Sequence, residues 1–140
     1  MKPLSKHLLA VASGAVLALS AAGAGPAGAQ TADIKTIVSV GGPPVVLNQN
    51  SQLNMAGVFM IGGSTSATVT QNGTNNATGV LQFGGTNSAS VGQTGTNNFV
   101  FVGQTGQAAT SLVSQLGAMN SSAVMQFGLV NSSTVHQTGP

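Results

Sequence analysis

The sequence predicts an all-β protein: a β-solenoid of stacked strand-turn-strand coils, built from 11-residue half-repeats at about 22 residues per coil. Three observations predict it. Gln-x-Gly recurs without a break from Gln71 to Gln137, one copy in every half-repeat. Within each unit a small residue, a valine and the glutamine stand two apart, which is strand periodicity and puts all three on one face. Charge is almost absent, at 3% of 140 residues where an ordinary domain carries roughly 25%.

The elements follow in chain order. Residues 1–29 have a basic start with Lys2 and Lys6, an apolar run from Leu8 to about Ala22, and the small residues Ala27-Gly28-Ala29. These are the parts of a secretory signal peptide, cleaved after Ala29, and the run is short for a membrane span. Residues 30–46, with Gly41-Gly42-Pro43-Pro44, form a segment outside the repeats. The repeat array occupies residues 47–140. After cleavage Lys35 and Asp33 cancel, so the formal charge of the remaining chain is zero.

The unit reads Val-x-Gln-x-Gly-x-x-Asn-x-small-x. Its glutamines are Gln71, Gln82, Gln93, Gln104, Gln115, Gln126 and Gln137. Two residues ahead of the glutamine slot stand Val58, Val69, Val80, Val91, Val102, Val113, Val124 and Val135. Gly73, Gly84, Gly95, Gly106, Gly117, Gly128 and Gly139 open the turns, and Asn76, Asn87, Asn98, Asn120 and Asn131 close them. Earlier units decay: Met60-Ile61-Gly62 fills the Gln-x-Gly slot imperfectly, and Leu47-Asn48-Gln49 is weaker still. A period of this length could also describe a right-handed helical coiled coil. The Gly, Asn, Ser and Thr in every unit are poor helix formers, which leaves strand and turn.

Stacking such coils in register sets Val on Val, Gln on Gln and Asn on Asn, about 4.8 Å apart. The valines then make a dry interior between two facing sheets. Each amide carries two donors and an acceptor, so identical residues above and below can satisfy one another in ladders. A buried amide left unpaired costs about 1–3 kcal/mol, which holds these positions fixed. Phe99 and Phe101, like Leu81 and Phe83, fall on the opposite, outward face. No charged residue guards the ends of the stack, so an open end is a template for another copy and the stack becomes cross-β on polymerisation.

Gln82-x-Gly84-x-x-Asn87-x-Ala89-x-x-x-Gln93 resembles the curlin repeat position for position, and the other units resemble it with Thr, Val or Ser in place of Ala. The resemblance spans roughly residues 47–139. It implies a subunit of curli, the extracellular amyloid fibres (fimbriae or pili) of Gram-negative bacteria, serving adhesion and biofilm matrix. It further implies passage through the periplasm, an outer-membrane secretion channel with accessory factors, and a related curlin partner as nucleator or major subunit. In that family residues such as 30–46 help address the chain to its channel. The resemblance makes the glutamines and asparagines named above the stacking residues. Met60 interrupts the Gln ladder and Ala109 the Asn ladder.

Composition argues against other classes. Asp33 is the sole carboxylate, so no paired-acid chemistry is available, and His136 is the one histidine beyond the leader. No catalytic residue, metal site, cofactor or small-molecule substrate is expected, and nothing basic remains to hold nucleic acid. Membrane β-barrels need strands of about 9–11 residues, longer than these units supply. The alternative function is a soluble, monomeric β-solenoid binding module, for example an ice-binding one. Its flat row of Thr is not evident, since the residues after each glutamine run Asn72, Phe83, Thr94, Thr105, Leu116, Phe127 and Thr138.

Overall fold

The computed structural model describes residues 15–21, 34–40, 45–50 and 52–140, and every regular element among them is a strand. In chain order these are β1 (Ala15–Ala21), β2 (Ile34–Val40), β3 (Val46–Asn50), β4 (Met55–Gly62), β5 (Ser66–Thr74), β6 (Ala77–Thr96), β7 (Phe99–Ala118) and β8 (Ser121–Thr138). From β3 onward every pairing is parallel, and each residue lies beside the one a full coil on, as Gln71 lies beside Gln93. The chain is a β-solenoid of about four turns, with the coil length that the sequence period predicts. β6, β7 and β8 each carry a full coil, because the ladder continues through the bend that follows Gly84, Gly106 and Gly128.

Two walls result. The first stacks Val58, Val80, Val102 and Val124, and the second stacks Leu47, Val69, Val91, Val113 and Val135. Burial alternates along β3 to β8, and the inward valines form one core with Ala56, Met60, Ala67, Ala89 and Val100. Each fully buried valine contributes roughly 1.5–3 kcal/mol of apolar transfer. Val135, in the last coil, is only partly buried because no coil lies beyond it.

The two corners differ. The corner leaving the second wall places Leu53, Asn75, Asn97 and Met119 in the left-handed region, at φ between 56° and 61°. Asn tolerates that region, whereas Leu and Met cost about 1–2 kcal/mol there. The backbone ladder passes through this corner: the N–H of Met119 donates to Thr96 O at 3.0 Å, and that of Phe99 to Asn120 O at 2.8 Å. Glycine is required at the turns for two reasons, seen at Gly84 and Gly95. Both have φ of 124°, and a Cβ on either would collide with the carbonyl of the glycine one coil on, Gly106 and Gly117 respectively.

The stack reaches further toward the N-terminus than the repeat frame does. β2 lies parallel on β4 with Ile37 opposite Val58 and buried Ser39 opposite Met60. Its offset falls one short of a full coil, and β2 has neither Gln nor Gly, so the period does not announce it. β1 then pairs antiparallel on the far edge of β2. β1 falls inside the stretch that carries the leader pattern. The cleavage point after Ala29 and the Gly41–Pro44 stretch lie outside the described residues.

Met119 is 74% exposed, so its side chain contributes little to the core. Met119→Asn should therefore stabilise the fold by about 1 kcal/mol, read as a higher denaturant midpoint. Gly95→Ala should abolish cooperative folding in the same assay.

Candidate functional site

The inward amides form columns along the stack, and the two walls hold different ones. In the second wall Gln49, Gln71, Gln93, Gln115 and Gln137 make an unbroken series. The Nε2 of each donates to the Oε1 one coil on, at 2.9, 2.7, 3.0 and 2.6 Å. The same Nε2 atoms also donate to backbone carbonyls of the facing wall: Gln71 to Met55 O at 3.1 Å, Gln93 to Ala77 O at 3.2 Å, Gln115 to Phe99 O at 3.1 Å. Both N–H groups of one amide are thus used, one along the stack and one across it. The Thr78 hydroxyl, Oγ1, donates to Gln93 Oε1 at 2.7 Å, a further bond at this level.

The first wall repeats the pattern from Gln82 to Gln104 to Gln126, at 2.6 and 2.8 Å. Here each Nε2 crosses to Ser66 O, Ser88 O and Thr110 O, all at 3.1 Å. The coil before Gln82 supplies Met60, fully buried and unable to donate, and Gln82 Oε1 has no partner. The interruption seen in the sequence therefore costs one specific acceptor.

The asparagines work differently from an amide-to-amide ladder. Oδ1 of Asn54, Asn76 and Asn98 accepts from the backbone N–H of Asn76, Asn98 and Asn120, at 3.1, 3.2 and 3.0 Å. Their amide nitrogens turn to carbonyls instead: Asn98 Nδ2 donates to Thr94 O at 3.4 Å and to Gly117 O at 3.1 Å. Asn is one methylene shorter than Gln and sits at the corner, so backbone lies within its reach before the next side chain does. It fastens one turn to the next. The other corner stacks Thr65, Asn87, Ala109 and Asn131. Asn87 Nδ2 reaches Phe83 O at 2.9 Å, but Thr65 Oγ1, Asn87 Oδ1 and Asn131 Nδ2 have no partner. Ala109 brings no amide of its own to this corner.

The irregular residues are therefore segregated. One Gln column and one Asn column are continuous, while the first-wall Gln column takes Met60 and the second-corner column takes Thr65 and Ala109. The linear repeat hides this, because successive units alternate between walls. At the C-terminal end Gln126 and Gln137 stand last in their columns, and among the described residues β8 pairs only with β7. His136 is exposed on the outer face, in register with Ser114.

Residues 73–106 match the family model described as Curlin associated repeat. The match runs from one turn glycine to another, Gly73 to Gly106, so over these residues the chain carries curlin-type repeats. It includes three column glutamines (Gln82, Gln93, Gln104) and three corner asparagines (Asn76, Asn87, Asn98). No curated protein and no solved structure matches the chain.

Gln93→Met keeps the volume but removes the amide from the middle of the continuous column, leaving buried Gln115 and Gln71 atoms short of partners. It should cost about 2–3 kcal/mol by denaturant unfolding. Met60→Gln supplies a donor to Gln82 Oε1 and should shift the midpoint the other way. A neutral outcome for both would show that the amides are spectators to packing.

Proposed function

We propose that this chain is the structural subunit of an extracellular functional amyloid fibre of the curli type. The fibre self-assembles at the surface of a Gram-negative bacterium and contributes to adhesion and biofilm matrix. The observation that supports this reading most is the self-continuing coil. Every rung from β5 to β8 offers the same register, the same inward glutamines and the same glycine corners one coil on, and among the described residues the outer edge of β8 has no partner strand. A second copy stacked on β8 would extend the parallel ladder, and its Gln49 would continue the second-wall Gln column. The curlin-type repeats of residues 73–106 point the same way.

On this reading residues 1–29 are a cleaved signal peptide and residues 30–46 serve export through an outer-membrane channel with its accessory factors. A related curlin subunit is the heterotypic partner. The chain acts by assembly and not by catalysis. A flat ice-binding array finds little support: the second wall's outer row at one level reads Thr70, Gly92, Ser114 and His136, a mixed set.

Chain beginning at Gln30, desalted from denaturant, should form β-rich fibres whose lag phase is removed by its own sonicated fragments. A stable monomer with a cooperative melt and no fibres after days would overturn the reading. Gln93→Lys should slow this assembly far more than Thr94→Lys, since Gln93 is buried and Thr94 exposed. Equal slowing in seeded kinetics would mean that the amide column does not govern addition.

A further inference from the structure

The two outer faces of the solenoid are chemically unlike. Parallel register places all five phenylalanines of the chain on the outer face of the first wall: Phe59, Phe83, Phe99, Phe101 and Phe127. Ile61, Leu81, Met55 and Met125 share that face. From β5 to β8 the outer face of the second wall is mostly Ser and Thr, with Asn72, Gly92, Leu112, Leu116 and His136 the exceptions. Strand alternation alone does not produce this. Odd and even half-repeats have the same inward residues but different outward ones.

The apolar face is also shaped. The Phe59 and Phe83 rings meet in a tilted contact, with centroids 5.7 Å apart and planes inclined at 54°. Phe101 lies over the glycines beside it, where a Cβ on Gly79 would stand 3.1 Å from its ring and one on Gly103 3.3 Å. Beyond it Gly57 has open space where a side chain would be. A groove of about 250 Å³ runs there between Thr36, Met55, Ala77, Gly79 and Phe99. Phe127, 65% exposed, and Phe99, 47% exposed, project from the same surface. Knobs and a hole stand side by side on one face.

We infer that this face is a lateral docking surface, and that its occupant is the identical face of a second filament of this chain, giving fibres of paired filaments. The inference rests on the fibre reading above. Two arguments select the occupant. In a polymer the apolar stripe recurs without end along the axis, and only a partner with the same repeat can stay matched to it. The area is the second argument. Short strands on five rungs present on the order of 500 Å² per chain, below the roughly 800 Å² per partner of a stable standard interface. Single chains therefore gain too little to pair, whereas filaments sum the contact over many subunits. The polar face opposite has nothing equivalent to offer, so association stops at two filaments instead of growing into sheets.

Mass per length, measured by scanning transmission electron microscopy on fibres of the chain beginning at Gln30, tests this. Wild-type fibres should weigh twice as much per unit length as fibres of Thr105→Lys, which sets a charge between Phe83 and Phe127 on the apolar face and spares every core position. The double variant Phe99→Ser with Phe127→Ser should also give the single value, and Ser114→Lys, on the other wall, should keep the doubled one. Seeding kinetics and β content should remain at wild-type levels in all three. Single-filament wild-type fibres, or Thr105→Lys fibres that stay paired, overturn the lateral inference and leave assembly intact. Wild-type protein that forms no fibres overturns the fibre reading and this inference together.

Discussion

Each inward glutamine from Gln71 to Gln115 uses both N–H bonds of one amide in two directions. One reaches the amide a coil on and fixes the rise, and the other reaches a carbonyl across the interior and fixes the distance between walls. For Gln93 these bonds are 3.0 and 3.2 Å. The residue choice follows from this. Asparagine lacks the length to cross, lysine has no acceptor, and leucine would leave the facing carbonyls unpaired at a cost of about 1–3 kcal/mol each. The valines contribute much of the burial energy, but apolar contact is non-directional and would tolerate a slipped coil. The amides refuse it, because a one-residue slip sends every glutamine to the outer face.

Once rise and register are fixed, the rest of the unit is constrained. Coils that approach at strand spacing put each turn carbonyl where the preceding glycine's Cβ would be, so no other residue fits at Gly84 or Gly95. The corner asparagines then serve backbone groups that a tight bend would otherwise strand, accepting from the N–H one coil on. Neutrality belongs to the same logic. Stacking identical residues at about 4.8 Å would set like charges in a column, and no inward position could bear that.

Fold class, coil length, valine core and turn glycines are legible in the sequence because all depend on one period. What escapes is everything that depends on alternation between the walls. Met60 and Ala109 look like scattered lapses along the chain, yet they fall in different columns and spare one column of each type. The repeat suggests an asparagine ladder of amide on amide, and the structure turns it to the backbone, a matter of one methylene that no period reports. β2 escapes because it sits one position out of the frame and its residues, Ile34–Val40, carry no repeat signature. Phe99 and Phe101 alone do not reveal the contrast between the outer faces. Sorting the outward residues by odd and even unit separates the aromatic face from the Ser/Thr face with no coordinates at all.

The same irregularities make the two ends of the stack unlike. At the C-terminal end the frame is intact: β8 continues β7 in register, and Gln126 and Gln137 stand in line with their columns. At the N-terminal end the frame has slipped by one, Met60 occupies a glutamine place, and β2 brings no amide to either column. While the first residues remain attached, antiparallel β1 covers the outer edge of β2. An antiparallel strand there changes the hydrogen-bond pattern that a parallel coil would need. Removal of residues 1–29, as proposed above, would bare that edge, and an arriving copy would meet Gln49 in the second wall but no glutamine in the first. A copy arriving at β8 brings that same end with it, so the junction between copies is continuous in the second-wall Gln column and interrupted in the first. Each junction is therefore marked by where the repeat is imperfect. The irregular units at the start of the array are as much a part of its specification as the regular ones at its end.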